Sequence, residues 1–115
     1  MLMEINHTET APGVVVIALS GQVMMGPESE QIMTLVEDLL RLGKRTIIFD
    51  LTGVKRIDST GIGRFIACYN AILAVGGAMR MAGVTGRLFD VFHVTKLDLR
   101  FPFYATADEA ARAQY

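Results

Sequence analysis

The sequence has one cysteine, Cys68, no tryptophan, two histidines and no strong excess of either charge. A single cysteine excludes an internal disulfide framework and favours a reducing compartment. A formal net charge of -1 provides no overall basic field that would hold nucleic acid. His7 and His93 lie far apart and are not at metal-ligand spacing with a Cys, Asp or Glu cluster, so we expect no metal and no cofactor.

Long apolar runs are also missing. The longest nearly apolar segment, Ile62 to Val75, would extend only about 21 Å as a helix, against about 30 Å for the hydrocarbon layer of a membrane. Arg64 and Asn70 interrupt it. The segment Met1 to His7 lacks the basic stretch and apolar run of a secretory signal. We therefore expect a cytoplasmic protein that does not insert into a membrane.

The composition predicts one folded domain over residues 1–115. Half of the residues are hydrophobic (51%) and a fifth are charged (20%), so the chain can bury a core and does not resemble a disordered protein. A length of 115 residues leaves no room for a second domain of ordinary size.

Apolar, β-branched runs alternate with segments of helical periodicity, which predicts an α/β fold. We expect a mixed, largely parallel β-sheet with helices packed on it, in the order β-β-α-β-α-β-α-β-α. The predicted strands are Glu4–Thr8, Val14–Leu19, Thr46–Leu51, Ala78–Ala82 and Phe101–Tyr104. The predicted helices are Pro27–Arg41, a helix from Ser59 to just before Gly76, Gly86–His93 and Ala107–Ala113, with Thr106 or Asp108 capping the last. The segment Thr52–Asp58 is predicted to be a loop.

The sequence Asp58-Ser59-Thr60-Gly61, followed by Gly63, lies where this loop enters a helix. One of the residues Asp58, Ser59 and Thr60 is expected to cap the free backbone N–H groups of the helix start through a side-chain oxygen. Two glycines in the first turns cost about 1 kcal/mol each relative to alanine, which indicates close approach of a ligand, a partner or a neighbouring strand. A helix N-terminus also tolerates a phosphate, here on Ser59. The residues alone leave open a purely structural interpretation, a capped helix whose glycines pack on the sheet.

The passage Ile47–Leu51, followed by Ile57–Gly63, resembles the STAS domain of anti-sigma factor antagonists. Their pattern is a hydrophobic strand, a short loop and then Asp-Ser-Ser/Thr-Gly-hydrophobic-Gly. The resemblance continues through Gly76-Gly77, Met79–Ala82, Leu88-Phe89, Leu97-Asp98, Phe103 and Asp108–Ala110, and so covers nearly the whole chain.

This resemblance implies a binding switch. In the family, a partner that is both an anti-sigma factor and a serine kinase phosphorylates the serine after the aspartate. The unphosphorylated antagonist binds that partner and releases a sigma factor, and a phosphatase resets the phosphorylated form. Carried over to this chain, Ser59 is the phosphoacceptor, Asp58 orients or helps to recognise it, and Thr60, Gly61 and Gly63 belong to the partner-binding surface.

The chain departs from the family after its second strand, where Gly-Glu-hydrophobic-Asp is common and Gly21-Gln22-Val23-Met24 is found, followed by Met25. Methionine is frequent at adaptable binding surfaces. We therefore include Met24 and Met25 in the predicted partner-binding surface. The alternative is that both methionines pack under the following helix.

Two other functions compete with the switch. An enzyme with Ser59 as nucleophile is disfavoured, because the chain has no Gly-x-Ser-x-Gly elbow, no phosphate-binding Gly-rich loop and no dinucleotide fingerprint. The stronger rival is a STAS subunit of a membrane lipid transporter or of a stress-signalling assembly, which need not be phosphorylated. Lys55, Arg56 and Arg64 flank the motif and are expected to form a solvated rim. The sequence does not fix the oligomeric state.

Overall fold

A computed structural model describes residues 3–113, so Met1, Leu2, Gln114 and Tyr115 lie outside the described residues. The strands are β1 (Glu4–Ala11), β2 (Val14–Val23), β3 (Thr46–Ile57), β4 (Ala78–Ala82) and β5 (Phe103–Tyr104). The helices are α1 (Pro27–Arg41), α2 (Ser59–Ala74), α3 (Gly86–Val94) and α4 (Ala107–Arg112), with a 3-10 turn at Leu97–Leu99. This order confirms the predicted α/β class and the predicted succession of elements.

The five strands form one mixed sheet in the order β1-β2-β3-β4-β5. The strands β1 and β2 are an antiparallel hairpin, and every other neighbouring pair is parallel. Helices α1, α2 and α3 lie in the connections between these parallel neighbours, as a crossover between parallel strands requires. Because β2 and β3 are parallel, their carboxyl ends lie side by side at the same edge of the sheet.

The main core lies between one face of the sheet and helices α1, α2 and α3. Alternate residues of β2 point into it, and Phe49, Phe65 and Phe92 are its largest fully buried side chains. The rings of Phe49 and Phe65 meet edge to face with centroids 5.1 Å apart. A smaller cluster of Ile48, Ala82 and Ala110 lies on the opposite face, under α4. Val54 of β3 and Ile62 of α2 both belong to the main core, which places the β3–α2 junction against it.

The prediction of a loop over Thr52–Asp58 is wrong for every residue except Asp58. Strand β3 continues to Ile57, and β2 continues past the predicted stop at Ser20-Gly21 to Val23. The two extensions pair with each other, Val23 opposite Ile57, across two register shifts. Such irregularities admit the polar and glycine residues that break the apolar pattern. Site residues therefore lie at the end of a paired strand.

Smaller differences concern element ends. The hairpin carries β1 on to Ala11, three residues beyond its predicted end, while β5 is only Phe103–Tyr104. Helix α4 begins after Thr106, whose hydroxyl accepts a hydrogen bond from the Glu109 backbone N–H at 3.1 Å. Thr106 is therefore the cap, of the two residues predicted for that role.

Candidate functional site

Asp58 is the N-cap of α2. Its backbone is extended, and its Oδ1 accepts a hydrogen bond from the backbone N–H of Gly61 at 2.8 Å. This is the arrangement that satisfies an otherwise unpaired donor at a helix start. The cap leaves Ser59 as the first residue of the helix, with an exposed side chain. The hydroxyl group of Ser59 is thus presented to solvent on a rigid element.

The second carboxylate oxygen of Asp58 reaches a different part of the chain. Oδ2 accepts a hydrogen bond from the backbone N–H of Met25 at 3.0 Å. The bonds from the N–H groups of Met25 and then Gly61 lower the pKa of Asp58 below its usual value, against a smaller opposing effect of desolvation. Asp58 is therefore held as a carboxylate with both oxygens engaged.

Gly61 is buried where the helix crosses the end of β2. A Cβ atom added there would lie 2.1 Å from the carbonyl oxygen of Val23, which also accepts the backbone N–H of Asp58. Only glycine fits this approach, so the structure gives Gly61 a packing role. A Cβ atom at Gly63 would meet nothing within 4 Å, and the residue is exposed. The two glycines of the motif therefore differ in what they do for the fold.

The segment Met24–Gly26 connects β2 to α1 and lies beside the cap. Met25 is 77% exposed and does not pack under the following helix, whereas Met24 is half-buried. The Nε of Arg64 donates a hydrogen bond to Ser29 Oγ at 3.1 Å, and that hydroxyl donates to the Gly26 carbonyl at 3.2 Å. Helix α2 thus holds this segment through the side chain of Arg64 as well as through that of its cap, Asp58.

Arg64 was expected in a solvated rim, and that expectation is wrong. Its side chain is half-buried and bonded to Ser29, which is itself 1% exposed. The sequence contains no signal for this link, because Ser29 and Arg64 are separated by 35 positions. Lys55 and Arg56 are exposed on the extension of β3, as expected of a rim.

An exposed stripe follows Ser59 along α2. It consists of Ser59, Gly63, Ile66, Asn70 and Leu73, which recur at helical spacing. None of these side chains is charged. Together with Met25 this stripe forms an uncharged and partly apolar surface that has Ser59 at one end. It is named the docking face after the partner binding predicted for it.

Cys68 and the two histidines do not belong to this face. Cys68 is fully buried, and burial raises the pKa of its thiol to about 12. His93 is on α3, and its Nδ1 lies 2.7 Å from Asp98 Oδ2. His7 is exposed on β1. Residues 3–113 contain no group of three or more His, Cys, Asp and Glu side chains that could hold a metal ion.

No helix within residues 3–113 is both long enough and apolar enough to cross a membrane. The mixed sheet and its serine-bearing helix start define a small α/β domain of the kind that the sequence motif indicated. The STAS domain profile matches residues 7–110, and the chain belongs to the STAS domain family. No curated protein sequence matches the chain significantly.

Solved structures share the fold. An anti-sigma factor antagonist from Mycobacterium paratuberculosis is 22% identical, with a TM-score of 0.78 over 96% of this chain and 95% of that one. The Bacillus cell fate determinant SpoIIAA in its phosphorylated form is 24% identical, with a TM-score of 0.75 over 93% and 96%. A sulfate transporter family protein from Wolinella succinogenes is 15% identical, with a TM-score of 0.73 over 90% and 86%.

Proposed function

We propose that this chain is an anti-sigma factor antagonist that works as a phosphorylation-controlled binding switch, with Ser59 as the phosphoacceptor. One observation carries the proposal: the Ser59 hydroxyl is exposed at the first position of α2, beside a cap that is fully hydrogen-bonded without it. A kinase can reach that hydroxyl without unfolding the helix. SpoIIAA, which shares the fold, has a phosphorylated form, and this supports control by phosphorylation here.

In the unmodified state, the docking face binds a partner that is both an anti-sigma factor and a serine kinase. Ile66 is 37% exposed, Leu73 47% and Met25 77%, and burying this apolar surface favours association. Binding occupies the anti-sigma factor and releases its sigma factor. The chain acts here as a ligand and a substrate, not as an enzyme, and needs no cofactor of its own. The chain and the anti-sigma factor meet in the cytoplasm.

The partner then modifies the chain. The Ser59 oxygen attacks the γ-phosphorus of the partner's ATP, the bond to the β-phosphate oxygen breaks, and ADP leaves while the hydroxyl proton passes to a base on the partner. Asp58 is not that base, because both of its oxygens already accept hydrogen bonds and its pKa is lowered. Its role is to fix the start of the helix. A phosphatase reverses the change by hydrolysis.

Phosphate changes the surface and leaves the fold intact. The helix N-terminus favours a negative charge by about 0.3–1 kcal/mol, so α2 is not disrupted. The docking face has no charged side chain, however, and a phosphate adds about -1.5 to -2 charges to it. Loss of about 3 kcal/mol of binding free energy would weaken the complex more than a hundredfold. The phosphorylated chain therefore releases its partner.

Met24 and Met25 give the site its own specificity. Met25 stands beside the cap as an exposed apolar side chain where the family commonly has acidic residues nearby. An apolar contact here selects a partner with a complementary apolar surface. We expect Met24→Asp to weaken binding to the native partner; binding as tight as that of wild type would contradict this role.

A second candidate function is a STAS subunit of a lipid transporter or of a stress-signalling assembly. The exposure of Met25 favours it, because an apolar docking surface needs no phosphate to work. In that case the docking face would be occupied constitutively and Ser59 would remain a free hydroxyl.

The test is intact-mass analysis of the chain isolated from its native host, with fragmentation to localise any addition of about 80 Da. The switch predicts phosphate on Ser59, its loss in Ser59→Ala and its persistence in the control Thr60→Ala. Phosphate on Thr60 instead would overturn the assignment of the site. An unmodified chain under all growth conditions would support the constitutive subunit.

A further inference from the structure

Most lysines and arginines of this chain have an internal partner. Six of the eleven make a hydrogen bond, an ion pair or a ring contact: Arg41, Lys44, Arg45, Arg64, Arg80 and Arg100. Within the described residues the side chains of the other five make none: Lys55, Arg56, Arg87, Lys96 and Arg112. Three of these five, Lys55, Arg56 and Arg87, line one cleft.

This basic cleft lies between the end of β3 and helix α3. It has a volume of about 470 Å³, and its remaining lining residues are Ile57, Leu88 and Val91. Its lining therefore combines three cations with three aliphatic side chains and includes no acidic residue. Lys55 and Arg56 come from β3, whereas Arg87 lies on α3, 31 positions after Arg56 (87 − 56). The fold brings these like charges together at an electrostatic cost that a bound anion would relieve.

The cleft adjoins the docking face. Ile57, which forms part of its wall, directly precedes the cap Asp58 and the exposed Ser59. A protein seated on the docking face would extend past the start of α2 onto the cleft. We propose that the basic cleft binds an acidic segment, with aliphatic side chains among its carboxylates, of the protein that docks at Ser59; this rests on the proposed function.

The lining chemistry favours a peptide over other anions. None of the six side chains is aromatic and none can accept a hydrogen bond, so the cleft offers no stacking ring and no acceptor for the amino group of a nucleobase. An anionic membrane attracts broad basic surfaces, and this chain has a formal net charge of -1. Carboxylates pair with Arg56, Arg87 and Lys55, while aliphatic side chains of the same segment pack on Leu88 and Val91.

The test uses the full chain and a short fluorescein-labelled peptide in which glutamate and leucine alternate, with a glutamine–leucine peptide as its neutral counterpart. Binding is followed by fluorescence anisotropy, and the affected backbone amides are located by NMR in the ¹⁵N-labelled chain. We expect the acidic peptide to bind, to shift amides in residues 55–57 and 86–91, and to weaken with added salt. The neutral peptide should not bind.

Two double variants with the same change in net charge provide the decisive comparison. Arg56→Gln/Arg87→Gln removes two cations of the cleft, and Lys96→Asn/Arg112→Gln removes the two unpaired cations outside it. We expect about tenfold weaker binding for the first pair, as loss of two partly exposed ion pairs would give, and less than a twofold change for the second. NMR spectra of both variants should keep the wild-type dispersion, which separates loss of binding from loss of fold.

Four results would overturn the inference. The first is that the acidic peptide does not bind, and the second is that both double variants weaken its binding equally. The third is that inorganic phosphate or ATP produces the same amide shifts more strongly. The fourth is that the chain sediments with phosphatidylserine vesicles in a way that depends on Arg56 and Arg87. The failure of the proposed function has a different signature. If the peptide binds through the cleft but Ser59 is never phosphorylated in the host, only the proposed switch is wrong. If Ser59 is phosphorylated but the peptide does not bind through the cleft, only the inference about the cleft is wrong.

Discussion

The Asp58 carboxylate joins the backbone of Met25 to the start of helix α2, although the two residues are 33 positions apart in sequence. One oxygen accepts the N–H of Met25 at 3.0 Å and the other accepts the N–H of Gly61 at 2.8 Å. The aspartate of the motif thus has two structural tasks, to cap the helix and to hold the β2–α1 segment beside Ser59.

Asp58→Asn should separate these two tasks. The asparagine oxygen can still accept from Gly61, but its amide nitrogen is a donor and cannot accept the N–H of Met25. We expect hydrogen exchange of the Met25 amide to accelerate by about tenfold or more, while that of Gly61 changes little. Unchanged exchange of the Met25 amide would show that the side chain acts only as a cap, and equal acceleration at both amides would show that the two tasks cannot be separated.

The same variant tests the pH dependence of stability. The pKa of Asp58 is lower in the folded chain than its usual value of 3.8, so its contribution is present above that value and is lost as pH falls through the folded value. The difference in thermal midpoint between wild type and Asp58→Asn should therefore be constant near neutral pH and shrink below about pH 4. A difference that persists undiminished at lower pH would contradict the bonded carboxylate.

Gly61→Ala and Gly63→Ala should act in opposite directions on stability. The methyl group at position 61 would meet the Val23 backbone, and we expect a loss of about 3 kcal/mol in the free energy of unfolding. The methyl group at position 63 meets nothing within 4 Å and gains helix propensity, for a stabilisation of up to about 1 kcal/mol. Urea unfolding of both variants measures the contrast.

The Gly63→Ala variant also tests the docking face, because it changes the surface without harming the fold. If the partner approaches this part of α2 closely, the variant will bind more weakly in spite of its higher stability. Unchanged affinity would remove Gly63 from the predicted partner-binding surface and limit that surface to the residues around Met25 and Ser59.

Cys68 should be inert in the folded chain. A thiol pKa raised from 9.0 to about 12 leaves roughly a thousandfold less thiolate at neutral pH, and burial blocks access as well. We expect maleimide to label the native chain very slowly and the urea-unfolded chain rapidly. Cys68→Ala/Asn70→Cys, with a cysteine at an exposed position of the same helix, is the fast-reacting control. Rapid native labelling of Cys68 would contradict its burial.

His93 should make stability weakly dependent on pH above pH 6.5. Its hydrogen bond to Asp98, together with the negative charge of that residue, raises the pKa of the imidazole above 6.5. The pair therefore stabilises the fold fully below pH 6.5, and this contribution is lost as pH rises through the folded value. We expect thermal midpoints of wild type to fall by a degree or two relative to His93→Gln over that range. His7→Gln, on the exposed edge strand, is the control and should follow wild type.

The sequence predicted the helices, the strand order along the chain and the N-terminal cap well, because these depend on local patterns. Helix α1 begins at Pro27 and ends at Arg41 as its periodicity and its end signals indicated. Capping chemistry limited the start of α2 to Asp58, Ser59 or Thr60, and the structure selects Asp58. Both are properties of neighbouring residues.

The errors concern relationships between distant segments. The residues Gly53, Lys55 and Arg56 lack an apolar alternation, and only pairing with the end of β2 makes them a strand. A backbone N–H such as that of Met25 has no signature in sequence, so its bond to Asp58 was not predictable. The same applies to the half-buried Arg64 and to the meeting of Arg87 with Lys55 and Arg56 across the basic cleft.

Main-chain anchorage of the β2–α1 segment has a consequence for related signalling circuits in one cell. Asp58 accepts its hydrogen bond from the backbone N–H of Met25. The side chain of Met25 is 77% exposed and takes no part in holding the segment. Any residue except proline preserves that bond. Under the proposed function, gene duplicates can therefore exchange the side chain at position 25, and with it the choice of partner, while the geometry around Ser59 stays the same. Parallel pathways would then share one chemistry and remain insulated from each other.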